Sequence, residues 1–118
     1  KFAAILHNGA GCDPLALLPL DALKMATRDG GVALGRKTGV IQAGYEADLI
    51  LVDFSHLNLT PCHSVISNLA YAAHGSDVCM NMARGKVIYK DGDFLTIDLE
   101  RVRREVADYA LPLLFQNN

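Results

Sequence analysis

The stretch from Gly35 to Asp53, Gly-Arg-Lys-Thr-Gly-Val-Ile-Gln-Ala-Gly-Tyr-Glu-Ala-Asp-Leu-Ile-Leu-Val-Asp, constrains the fold more than any other part of the chain. Its run Leu49-Ile-Leu-Val52 is continuously apolar, the pattern of a strand covered on both faces. Such a strand obliges the protein to place structure on each side of it. Gly35, Gly39 and Gly44 punctuate the approach, where positive φ angles resisted by other residues are expected. Between them Val40-Ile41 reads as a short extended piece, and the strand itself as Asp48 to Asp53.

A second sheet signal lies downstream. Val78, Met80 and Met82 alternate with Cys79, Asn81 and Ala83, which is strand periodicity. Arg84-Gly85 is a tight turn, Lys86 to Lys90 the return strand, and Asp91-Gly92 the next turn, so residues 78–90 form a hairpin. Helical spacing flanks these strands. Phe2, Ile5 and Leu6 mark the end of a helix over 1–8, followed by a loop from Asn8 to Pro14. Pro19 and Asp21 suit the first turn of a second helix, and Gly30-Gly31 is expected to close or interrupt it. A polar linker, Ser55 to Pro61, leads to a stripe of Val65, Leu69, Ala72 and Ala73, with Gly75 as its stop. Asp98 suits the N-cap of a tail helix whose face is Leu99, Val102, Val106, Tyr109, Ala110 and Leu113. Arg101, Arg103 and Arg104 lie largely off that face, as solvated charges do. The expected class is α+β: a small β-sheet (strand 48–53, hairpin 78–90) with flanking helices.

Composition narrows the function. The 118 residues are 51% hydrophobic and 20% charged, which is a globular composition. A net charge of -2 lacks the basic footprint of a nucleic-acid binder. No apolar run approaches the roughly 18 residues of a membrane span, and Lys1 to His7 is too short for a signal peptide. The cysteines, Cys12, Cys62 and Cys79, are odd in number and form no Cys-x-x-Cys pair. They read as reduced thiols of a cytoplasmic protein.

The residues capable of chemistry are poorly arranged for it. His7, His56, His63 and His74 form neither His-x-His nor His-Glu-x-x-His. Cys62 and His63 are adjacent, and strand neighbours point to opposite faces. Asp53, His56 and His63 could meet in space, but no ligand spacing requires it. Ser55-His56 lacks the context of a nucleophile, and there is no Gly-x-Ser-x-Gly or Walker sequence. Asp91 and Asp93 flank Gly92 as turn residues do. From the residues alone, this is a folded domain without a recognisable active site.

Several segments in order nevertheless resemble one superfamily. Leu23-Lys-Met-Ala-Thr-Arg-Asp-Gly-Gly-Val-Ala-Leu-Gly35 looks like the helices that amidohydrolases carry after their last metal ligand. Gly39 to Asp53 is similar to the return strand into their small β-domain. Ser67 to Asp77 resembles the branch holding 5-methylthioadenosine and S-adenosylhomocysteine deaminases, beside the chlorohydrolases. Val78 to Asp93 looks like the final hairpin. The resemblance covers residues 2–107 and implies a division of the chain. Residues 1–34 would be terminal helices of a TIM-type barrel. Residues 35–97 would be C-terminal strands of a composite β-sandwich, with an inserted helix near 64–74, and 98–118 the C-terminal helix.

The resemblance also implies a function for a longer parent. It would be a metal-dependent hydrolase in which zinc or iron lowers the pKa of a bound water. The hydroxide would deaminate an adenosine-type or other heteroaromatic substrate. The metal ligands of that superfamily, an early His-x-His, a later His and an Asp near the last barrel strand, have no counterpart in these residues. No catalytic, cofactor-binding or metal residue is therefore assigned to the chain, and the isolated segment is expected to be inactive. The absence of Met before Lys1 fits the expectation of a C-terminal fragment. Its partners would be the upstream N-terminal portion of the same protein and further copies in a homo-oligomer. The competing reading is a non-catalytic α+β binding or assembly module. A stand-alone hydrolase using His56, Cys62 or His63 is disfavoured by spacing.

Overall fold

A computed structural model of the protein describes residues 1–115. Helix α1 spans Phe2–Gly11. It continues past the loop expected at Asn8, because the Asn8 side chain organises the following connection from inside the helix. Its Oδ1 accepts from the Leu17 N–H (2.9 Å), and its Nδ2 donates to the Leu17 (3.2 Å) and Pro14 (3.3 Å) carbonyls. Cys12, at φ 49°, closes the helix in the left-handed conformation.

Helix α2, Pro19–Lys24, starts with Pro19 in its first turn as expected and runs into a wide π turn, Met25–Asp29. Helix α3, Gly30–Ala33, follows directly. Gly30-Gly31 therefore does not stop the helix. Gly31 is there for close approach: a Cβ on it would lie 2.8 Å from the Thr38 carbonyl oxygen. Gly39 faces the same helix from the loop side, where a Cβ would meet the backbone of Thr27 and Arg28 at 2.4–2.6 Å. The glycines thus let the loop lie directly against the helix. The positive φ values expected at Gly35, Gly39 and Gly44 are 66°, 76° and 84°. Val40-Ile41 joins no strand.

Four strands form one antiparallel sheet in the order β1-β2-β3-β4. They are β1 (Leu49–Val52), β2 (Val78–Ala83), β3 (Lys86–Lys90) and β4 (Asp93–Phe94). β1 is shorter by one residue at each end than expected. Asp48 is drawn off to bond Arg84, and Asp53 turns into the next connection. The hairpin lies where the alternation put it, with Met82 opposite Val87 and Asn81 opposite Tyr89. β4 was not expected from sequence. It forms because the Asp91-Gly92 turn, at φ 48° and 100°, returns the chain along β3 and sets the Phe94 ring 5.0 Å from Tyr89.

The expected helix near 64–74 is short and irregular: α4 (Val65–Ser67) and a π turn, Asn68–Ala72. The polar linker before it holds a 3₁₀ turn, Leu57–Leu59, whose Leu59 is 1% exposed. The tail helix comprises α5 (Leu99–Glu105), a π turn (Val106–Ala110) and α6 (Leu111–Phe115). Asp98 caps it as expected, accepting from the Arg101 N–H at 2.9 Å. Pro112 cannot donate a helical hydrogen bond, and the wider turn sits just ahead of it. Residues 116–118 of the expected tail helix lie outside the described residues.

The apolar strand is not covered on both faces by the described residues. Ile50 and Leu51 are each 52% exposed, and Val102, Val106, Tyr109 and Leu113 of the tail helix are exposed too. A shallow groove of about 470 Å³ runs along the sheet between Ile50, Val78, Ile88, Phe94 and Ile97. The radius of gyration is 18.5 Å, against about 13.5 Å for a compact chain of this length. The accessible surface is 8954 Å², against about 6,200 Å² for a compact monomer of this mass. The open shape and the bare apolar faces are the same fact seen twice.

Two loop glycines, half-buried Gly39 and exposed Gly44, separate crowding from strain. Gly39→Ala should destabilise the protein by about 3 kcal/mol or more, since a Cβ there meets backbone on top of an unfavourable φ. Gly44→Ala, at φ 84° in open space, should cost only about 1–2 kcal/mol. Urea denaturation of the two variants checks the order.

Candidate functional site

The most concentrated polar group in the protein is built around Asp77. This carboxylate is 2% exposed, at the end of a 3₁₀ turn, Gly75–Asp77, that feeds β2. A buried carboxylate needs its lone pairs filled. Oδ1 accepts from His56 Nδ1 at 2.7 Å. Oδ2 accepts from Asn58 Nδ2 and from the His74 backbone N–H, each at 2.8 Å. These hydrogen bonds, His56 first, then the His74 N–H and Asn58, lower the Asp77 pKa to about 2. Because Asp77 is ionised and can only accept, Nδ1 of His56 carries the proton. On the other side of the ring, Nε2 lies 3.9 Å from Asp53 Oδ2.

A second group joins the helix exit to the hairpin turn. Arg36 donates to both oxygens of Glu46 and, at 3.1 Å, to Asp48 Oδ2. Asp48 Oδ1 accepts from the Arg84 backbone N–H at 2.7 Å, and its Oδ2 accepts from Thr38 Oγ1 at 3.2 Å. The hydrogen bond from Arg36 holds the Glu46 pKa below its usual value, and that from the Arg84 N–H does the same for Asp48. Every charge here has a protein partner, as expected of a structural clasp.

Of the residues weighed from sequence, Asp53 and His56 do come together, whereas exposed His63 makes none of the hydrogen bonds of the Asp77 group. The Ser55 backbone N–H donates to Asp53 Oδ1 at 2.9 Å, while the His56 ring nitrogens face Asp77 and Asp53. Cys62 is exposed, and Cys79 sits on β2 with its thiol toward the Leu51 carbonyl. Sequence reasoning missed Asp77 as the centre. The available signal was an Asp closing a Gly-Ser-Asp turn just before a strand, with His56 and Asn58 as donors at a distance no spacing rule reveals. Among the described residues, no three His, Cys, Asp or Glu side chains gather as a metal site. No helix among them is long and apolar enough to cross a membrane.

A small antiparallel sheet with flanking helices, polar clasps and bare apolar faces defines the class as an α+β packing unit. The particular family follows from comparison. The profile of the Amidohydrolase family matches residues 1–88, and the chain belongs to that family. It is 40% identical over 118 residues to a 5'-deoxyadenosine deaminase of Methanosarcina mazei, covering 100% of this chain and 27% of that protein. It is 42% identical over 115 residues to a 5-methylthioadenosine/S-adenosylhomocysteine deaminase of Pelotomaculum thermopropionicum, covering 97% of this chain and 27% of that one. Its fold superposes with TM-score 0.87 and 32% identity on a zinc-bound adenosine deaminase of Xanthomonas campestris, over 94% of this chain and 26% of that one. The chain thus spans about a quarter of the length of the relatives it matches.

The Asp77 group sets an acid limit on stability. A carboxylate with a lowered folded pKa contributes fully above its unfolded value of 3.8, and that contribution is lost as pH falls toward about 2. Urea midpoints should therefore drop across this window in the wild type. Asp77→Asn should be less stable at neutral pH and should show a shallower fall across the same window.

Proposed function

We propose that these residues are the C-terminal part of a metal-dependent amidohydrolase that deaminates an adenosine-type or related heteroaromatic substrate. In this reading residues 1–34 are the last barrel helices. Residues 35–97 complete a composite β-domain, and 98–118 pack as its C-terminal helix. The observation that carries the reading is similarity to deaminases along the entire chain, at 40% identity. The bare faces of β1 and the tail helix support it from a separate direction, since a fold with so much uncovered apolar surface calls for a further layer.

Among the described residues, no three His, Cys, Asp or Glu side chains are placed to hold a metal ion. Asp77, the further acid beside Asp53 and His56, has its oxygens taken by His56, Asn58 and the His74 N–H. A divalent ion, zinc or iron, then belongs to residues outside this segment, and no catalytic step is assigned to any side chain within it. What the segment contributes is scaffolding. The Asp77 group fixes the connection from β1 to α4, and the Arg36–Glu46–Asp48 clasp fixes the sheet against the helices. The setting proposed for the enzyme is the cytoplasm, with assembly as a homo-oligomer.

The test is ammonia release. The full-length protein, loaded with zinc or iron, should release ammonia from 5'-deoxyadenosine, 5-methylthioadenosine or S-adenosylhomocysteine, with one equivalent of the inosine-type product. Chelation should abolish turnover and added metal restore it, while residues 1–118 alone should be inactive. Metal-loaded protein that releases ammonia from none of these compounds contradicts the reading.

A further inference from the structure

The Asp77 group has a property beyond holding the fold. Its ring of contacts joins two carboxylates through one imidazole. His56 Nδ1 is 2.7 Å from Asp77 Oδ1, and His56 Nε2 is 3.9 Å from Asp53 Oδ2. Among the described residues, these carboxylates are the charged side chains within ion-pair distance of the ring. The other groups facing Asp77 are Asn58 Nδ2, the backbone N–H of His74 and the His74 imidazole, which accepts from the Asp77 backbone N–H.

The members come from different elements. Asp53 follows β1, His56 is the N-cap of the 57–59 turn, and Asp77 ends the turn before β2. The Asp53 N–H also donates to the Asp77 carbonyl at 2.8 Å. On its far side the connection carries buried Leu59, whose carbonyl accepts from Asn68 Nδ2 at 2.7 Å. A cation at position 56 therefore pins the 53–61 connection to the 74–77 turn.

We propose that His56 is a pH-dependent latch. Protonated, it clamps the 53–61 connection onto Asp77. Neutral, it leaves Asp53 and Asp77 near one another with no positive charge between them, and the connection opens more often.

The sign follows from the environment. The hydrogen bond to Asp77, opposed by desolvation and reinforced by the charges of Asp53 and Asp77, raises the His56 pKa above 6.5. A raised folded pKa gives stabilisation that is complete below the unfolded value and is lost as pH rises through the folded value. Asp77 is ionised throughout this range, because it is held at about 2. The latch therefore releases as pH rises above the 6.5 of a free imidazole.

Two measurements on the full-length protein test it together. NMR of labelled imidazoles, with His56→Gln to assign the signal, gives the folded pKa of His56. Hydrogen exchange from about pH 5 to 9, corrected for intrinsic rates, gives the protection of amides 54–60 across the titration. Protection should fall in one step between pH 6.5 and that pKa, tenfold for each pH unit that separates them, while β2 and β3 show no step. His56→Gln keeps a donor for Asp77 but does not titrate, and should abolish the step. A folded pKa at or below 6.5, no step at the titration, or a step that survives in His56→Gln would overturn the proposal. Should His56→Gln fail to fold, the wild-type relation between step size and pKa still decides.

Discussion

The structure turns on a strand that is too apolar for the position it occupies. Leu49-Ile-Leu-Val52 pairs with β2 along one edge only. Half of Ile50 and of Leu51 remains in water, and the opposite edge has no strand beside it among the described residues. Unpaired apolar edges invite association, and proteins usually shield them with charge, bulges or another element. Here the shielding charges are absent from the strand. The open outline and the sheet groove follow from the same deficit.

What keeps this unsatisfied sheet in register is polar. Asp48 and Asp53 bracket β1, and each side chain accepts a backbone N–H just beyond it, from Arg84 and Ser55. Arg36 then links the first bracket to the helices, and Asp77 links the second to the start of β2. Burying Asp77 would be costly for a lone carboxylate. Three donors within 2.8 Å make it a node instead. The chemistry-bearing side chains of this segment are thus spent on geometry, consistent with a scaffold role.

The parts legible in the sequence were those set by local rules. Hairpin periodicity located β2 and β3, Pro19 and Asp98 marked helix starts, and the glycine spacing gave the positive φ angles. Errors arose where tertiary contact overrode a local signal. Gly30-Gly31 looks like a helix stop, yet Gly31 serves a close approach to Thr38. Asn8 looks like a loop residue, yet it acts from within α1 on a loop beyond it. β1 looks buried on both faces because the pattern encodes a cover that these residues do not supply. Asp77 could not be found by spacing, since its donors at 56 and 58 are brought to it only by the fold.

The central claim is that the rest of a longer protein covers the face of β1. Thiol labelling of Ile50→Cys, read by peptide mass spectrometry, measures this directly. The account predicts slow labelling at position 50 in the full-length protein and fast labelling in residues 1–118 alone. Equal, fast labelling in both would contradict it, because the strand would then be bare in the intact molecule as well.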